Sequence, residues 1–220
     1  MSDKQLTYPT VYDDARDTLE PKIKVLQIVI DKTLQDRLRR HVQSFRRRIE
    51  SVKDAVIYTI NQLKAAERLV DDVSELEKVD TLPNIFTYKV DIRNWQQPFR
   101  VDVSYVPENG KETVRSLKLR YKRNEYSVIE VDVINVSDGT AGTTVVDRID
   151  ALEKQIDSIV PGSTRVKAIN GIFRELDSLS KEASRSENIT GMLVKYAEDW
   201  MGSRVDDNYG RFLYNDPAIA

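Results

Sequence analysis

The sequence predicts an α+β protein with three parts: a long N-terminal heptad helix that reads as a coiled coil, a four-stranded antiparallel β-meander, and a C-terminal helical region. Three observations carry this. Apolar residues recur in alternating steps of four and three from Leu38 to Val73. Between 84 and 137 the apolar period becomes two, and from 143 it returns to helical spacing. The expected zones are an N-terminal arm over 1–20, the long helix over 21–80, the sheet over 84–137, helices over 143–202 and a tail over 203–220.

The arm is polar, carries Tyr8, Pro9 and Tyr12, and reads as flexible. Pro21 suits the first turn of the helix that follows. Ile23, Leu26, Ile30 and Leu34 form a helical stripe out of phase with the heptads downstream, as at a stutter. The Ile and Val content of 22–30 leaves a strand there as an alternative. From Leu38 the seam is continuous, with Val42, Ile49, Val56, Leu63 and Val70 at position a and Leu38, Phe45, Val52, Thr59, Ala66 and Val73 at position d. About five heptads exceed what one globular helix face needs, so the seam Leu38, Val42, Phe45, Ile49, Val52, Val56, Leu63, Val70 and Val73 is expected to join subunits. The alternative is a seam filled by the chain's own C-terminal helices.

Four strands follow from alternation: Phe86 to Ile92, Phe99 to Tyr105, Leu117 to Tyr121 and Ile129 to Val133. Asn109-Gly110 marks a tight hairpin, and Lys122-Arg123-Asn124-Glu125 marks another turn. Acidic Asp102, Glu130 and Asp132 flank the basic strand Lys118-Arg120-Lys122, which favours this strand order. One face is apolar and needs a cover. Three amphipathic stripes can supply it: Val145 to Ile159, Val166 to Leu179 through Phe173, and Ile189 to Trp200. The tail keeps Tyr209, Phe212, Leu213 and Tyr214, which suit docking on a neighbouring subunit or packing on their own domain.

Composition excludes several function classes. The 220 residues are 40% hydrophobic and 32% charged, with a formal net charge of −2, so the chain is no globally basic nucleic-acid binder. There is no cysteine, which excludes disulfides, thiolate metal sites and cysteine nucleophiles. A single histidine excludes a multi-histidine metal site within one chain. The N-terminus does not read as a signal peptide, and the most apolar stretch, Ile23 to Ile30, is too short to span a bilayer. A cytoplasmic or virion location, no membrane contact and no secretion through a signal peptide are therefore expected. The sequons at Asn135 and Asn188 then read as chance matches.

Local charge is more informative. Residues 37–53 hold Arg37, Arg39, Arg40, Arg46, Arg47, Arg48 and Lys53 against Glu50, a balance of +6. These can contact an anion or an acidic partner. The apolar seam runs through the same segment, so charge pairing along a helical interface is the plainer reading. The helix bearing Asp147, Asp150, Glu153 and Asp157 is an internal candidate partner. His41, at a g position, reads as a rim residue. The loop Asp138 to Thr144 lacks the lysine of a phosphate-binding P-loop, and Thr143 or Thr144 reads as a helix N-cap. The pairs Asp13-Asp14, Asp71-Asp72 and Asp206-Asp207 read as solvated surface.

No catalytic residue, cofactor or metal is expected. The expected function is that of a non-enzymatic structural or assembly protein, partnered by itself and by other structural proteins. A virion component of a tailed bacteriophage is one concrete form, resting on general texture and on no family resemblance. The alternative is a nucleic-acid-binding module using 37–53, and a third option is an enzyme whose site forms only between subunits.

Overall fold

A computed structural model describes residues 11–67, 76–82, 85–93, 95, 97–136, 144–162 and 166–214, with side chains over 19–65, 85–93, 95, 97–136, 144–162 and 167–202. The layout is α+β. Helix α1 spans Val11–Glu67. Strands β1 (Leu76–Leu82), β2 (Ile85–Ile92), β3 (Phe99–Glu108), β4 (Lys111–Asn124) and β5 (Ser127–Asn135) follow, then α2 (Val145–Asp157) and α3 (Val166–Tyr214). The sheet is antiparallel in the order β1-β2-β3-β4-β5, so every neighbour in space is a neighbour in sequence. Short connections permit nothing else.

The four expected strands are β2 to β5. At the β3–β4 hairpin Glu108 pairs with Lys111, and Asn109 and Gly110 take φ of 50° and 75°. Two positive φ values match the right-handed twist of the flanking strands, and Asn-Gly is the pair that tolerates them. The next turn sits at Glu125-Tyr126, two residues beyond the expected position, with Asn124 Oδ1 accepting from the Tyr126 N–H at 3.1 Å. Asp102 lies opposite Lys118, and Lys118 bonds Glu130 and Asp132 on β5. The Arg120 guanidinium also holds Glu130, and together these contacts keep that carboxyl below its ordinary range.

Several boundaries differ from expectation. Segment 22–30 is helix, and α1 begins at Val11 rather than at Pro21. At the other end α1 stops at Glu67, and Leu76–Leu82 adds a strand where helix was expected. Val79 and Leu82 stand three residues apart, so the segment has no strict apolar alternation and is defined as a strand by its pairing with β2. The stripes 166–179 and 189–200 are one helix, α3, which runs on to Tyr214 instead of yielding to a tail at 203. Ala183 and Ser186 are fully buried in the gap, so small residues continue the stripe where the helix approaches its neighbours closely. In α3 Ile172 faces inward and Phe173 is exposed, a one-residue rotation of the expected face.

The core lies between the sheet and the three helices. Val90, Ile92, Val101, Val103, Leu117, Leu119, Val131 and Val133 face inward from the sheet. Ile149, Leu152 and Ile156 of α2 and Leu179, Ile189 and Leu193 of α3 meet them and α1. Trp95, Phe99 and Tyr196 pack edge-to-face at 5.7–6.1 Å between ring centres, fixing α3 to the β2–β3 connection. Thr144 is the N-cap of α2, in a reciprocal capping box with Asp147.

Candidate functional site

The basic segment of α1 faces acids of its own chain. Arg46 Nη2 lies 2.5 Å from Asp150 and 2.7 Å from Glu153. Arg39 Nε lies 2.8 Å from Asp157. The two arginines are two helical turns apart, and Asp150, Glu153 and Asp157 recur at steps of three and four, so each set occupies one helix face. Arg48 makes a two-pronged contact at 2.6 Å with Glu187 of α3 and reaches Ser184 at 3.0 Å. Lys53 bonds Glu50 within α1 at 2.8 Å.

Donating to Glu153 and Asp150 raises the Arg46 pKa, and donating to Glu187 raises that of Arg48. The same contact holds Glu187 below its ordinary value. These groups are part-exposed, so each pair contributes about 0.2–1 kcal/mol. Their effect is to fix the rotation of α1 against α2 and α3. Arg37, Arg40 and Arg47 are exposed and make no ion pair among the described residues. His41 is exposed as well.

The heptad seam is closed within the chain. Leu38, Val42, Ile49, Val52, Val56 and Leu63 are all buried, and Phe45 is half-buried against the same core. Ile57 and Ile60 join them, widening the face beyond a strict heptad line. This corrects the expectation that the seam joins subunits: over Leu38–Leu63 its partners are α2, α3 and the sheet of the same molecule. Val70 and Val73 lie outside the described residues, as do the side chains of Tyr209, Phe212, Leu213 and Tyr214.

The longest run of bare apolar residues among the described ones is upstream. Every residue from Leu19 to Ile30 is exposed, including Leu19, Ile23, Val25, Leu26, Val29 and Ile30 at 52–61%. The domain begins abruptly at Asp31, which is 3% exposed. Its carboxylate accepts from the Gly162 N–H at 2.7 Å and from Gln27 Nε2 at 2.9 Å. One turn on, Gln35 Nε2 donates to the carbonyls of Ile156 at 2.8 Å and Ile159 at 3.4 Å, capping the end of α2. Gly162 has φ of 86°, which favours glycine in the turn after α2, and a Cβ there would stand 3.3 Å from the Ile28 side chain. Asp31 and Gln35 thus latch α1 to the α2–α3 connection. Sequence reasoning missed both, because polar residues beside a seam look solvated until their partners, more than 120 residues away, are known.

Other clusters are satisfied internally. Arg148 of α2 bonds Glu175 at 2.7 Å, Glu182 at 2.5 Å and Ser178 at 2.8 Å on α3. Burial alone would lower its pKa, but the two carboxylates raise it. It stands beside an open groove of about 610 Å³ between α2 and α3, floored by Leu152, Ile159 and Ile172 and with Lys167 among its lining residues. Lys64 Nζ lies 4.1 Å from the Tyr88 ring centre and 4.8 Å from that of Tyr105, and it also bonds the Tyr105 hydroxyl. Burial, then the Glu112 charge, raises the Tyr105 pKa, which keeps the phenol protonated. Among the described residues no group of His, Asp and Glu is placed to hold a metal ion, and no helix is long and apolar enough to cross a membrane. No family model, curated protein or solved structure matches the chain.

Proposed function

We propose that this is a non-enzymatic structural or assembly protein that self-associates through the N-terminal part of α1. The observation that carries the reading is the bare stretch Leu19–Ile30 on a helix whose next 35 residues are anchored in a folded domain. Six branched apolar side chains, each exposing on the order of 100 Å², make a patch above the few hundred Å² usual on a monomer. The phase shift at the stutter explains the division: downstream of it the apolar face turns toward α2 and α3, and upstream it turns away. A repeating assembly such as a tailed-phage virion is one setting for a contact of this kind.

The test is molar mass by light scattering across a dilution series. A mass of at least twice 25.3 kDa that falls on dilution is expected. A monomer at every concentration up to the millimolar range overturns the reading. Nucleic-acid binding is the second reading, and it now rests on Arg37, Arg40 and Arg47, since Arg39, Arg46, Arg48 and Lys53 already hold intrachain acids.

A further inference from the structure

We infer that two copies of this chain pair through Leu19–Ile30 in antiparallel orientation, with Ile23 against the partner's Leu26 and Leu19 against the partner's Ile30. This rests on the assembly reading above and adds its surface and geometry.

The stripe sets the surface. Leu19, Ile23, Leu26 and Ile30 follow steps of four, three and four, so they form one face of α1 at heptad spacing. Leu19 and Leu26 take d positions and Ile23 and Ile30 take a positions, so an antiparallel partner sets each isoleucine against a leucine. Val25 and Val29 flank one side of that face and are 60% and 54% exposed. The stripe lies roughly 100° around the helix from the face that carries Asp31 and Leu38 into the domain, at 100° per residue. A partner helix can therefore lie on it without meeting the bulk of either domain.

The area agrees. The four stripe side chains on each copy, at about 100 Å² apiece, give roughly 800 Å² between two copies, the size of a weak contact that dissociates on dilution. A lone helix of this length is marginal in water, and burying the stripe offsets that.

Charge sets the orientation. Positions 11–17 hold Asp13, Asp14 and Asp17 against Arg16, net −2. Positions 32–40 hold Lys32, Arg37, Arg39 and Arg40 against Asp36, net +3. Antiparallel pairing about the midpoint of the stripe lays the acidic end of each helix along the basic shoulder of the other. Parallel pairing lays acid on acid and base on base, within about one Debye length. The antiparallel arrangement also gives the exposed Arg37 and Arg40 an acidic neighbour.

The native chain has no cysteine, so single thiols report the register cleanly. Leu19→Cys protein carrying a tag is mixed with untagged Ile30→Cys protein and oxidised, and Ile30→Cys is oxidised alone in parallel. Expected is a disulfide-linked heterodimer from the mixture and no linked dimer from Ile30→Cys alone. In the antiparallel pair two copies of residue 30 stand roughly 16 Å apart along the axis, beyond disulfide reach.

A linked Ile30→Cys homodimer overturns the orientation while leaving self-association standing. A native dimer in which neither pair links overturns the surface. A native monomer overturns this proposal and the assembly reading together. Leu26→Glu is expected to raise the dimer dissociation constant on the order of a hundredfold or more while leaving the domain's melting temperature unchanged. An unchanged dissociation constant also overturns the surface.

Discussion

Ile49→Ala separates a seam filled from within the chain from a seam shared between chains. Ile49 is 1% exposed and sits midway along the buried part of α1, between Val42 and Val56. Its truncation removes the side chain beyond Cβ from a close-packed site where α1 meets α2 and α3. The expected cost is about 2–5 kcal/mol, the transfer term plus the cavity left behind. For a domain of this size each kcal/mol lowers the melting temperature by about 2–4 °C, so a fall of roughly 7–14 °C is expected for a mid-range cost.

The assay is thermal unfolding by circular dichroism at three protein concentrations spanning a hundredfold, paired with light scattering at 20 °C. The difference from the native protein should be the same at each concentration, and the molar mass should not change. Arg47→Ala, on the exposed side of the same helix, serves as a control and should stay within about 0.5 kcal/mol of native. A difference that grows on dilution, or a mass that drops with Ile49→Ala, would refute the reasoning by showing that the seam holds subunits together.

The remaining predictions concern the latch, the cap and the charges. Asp31→Ala removes the buried carboxylate that accepts from the Gly162 N–H and should destabilise by about 0.5–1.5 kcal/mol in urea titrations, with faster amide exchange at Gly162. An unchanged exchange rate would show that the latch is not formed. Thr144→Ala removes the N-cap of α2 and should cost about 1 kcal/mol, largely recovered by Thr144→Ser.

Glu187 and Glu130 are held below their ordinary pKa by Arg48 and by Arg120 with Lys118. A depressed folded-state pKa means stability that is present above the unfolded value of about 4.3 and lost as pH falls through the folded one. Glu187→Gln and Glu130→Gln should each flatten the fall in melting temperature between pH 5 and pH 3, and an unchanged slope would show the pairs to be absent. Arg37→Glu with Arg40→Glu and Arg47→Glu should leave stability within about 1 kcal/mol. If duplex DNA binds the native protein through these three, log K should fall against log salt with a slope near −2.7, and the triple variant should abolish it.

Much of this fold was legible because its signals are local. The alternation in β2 to β5 and the Asn109-Gly110 turn needed only neighbours in sequence, and short connections then forced the meander. The acidic helix carrying Asp150, Glu153 and Asp157 was legible as a candidate partner of the basic segment, and the structure pairs it with Arg46 and Arg39. Strand β1 was not legible, since 76–82 carries acids and lysine within a weak apolar pattern and takes its conformation from pairing with β2. Nor was the unity of α3, because buried Ala183 and Ser186 carry no hydrophobic signal.

By itself the sequence determined the helical and strand character of most of the chain, the order of β2 to β5, an N-cap for α2 at Thr143 or Thr144 and the absence of cysteine chemistry. Each follows from backbone sterics, side-chain period or composition, which act within a few residues. Only the tertiary structure decided what the heptads meet. A repeat says that a helix needs a partner over Leu38–Leu63 but not whose helix it is, and here α2 and α3 fill that side. The same packing leaves Leu19–Ile30 bare among the described residues, because the phase shift upstream of Leu38 turns its apolar face away from α2 and α3.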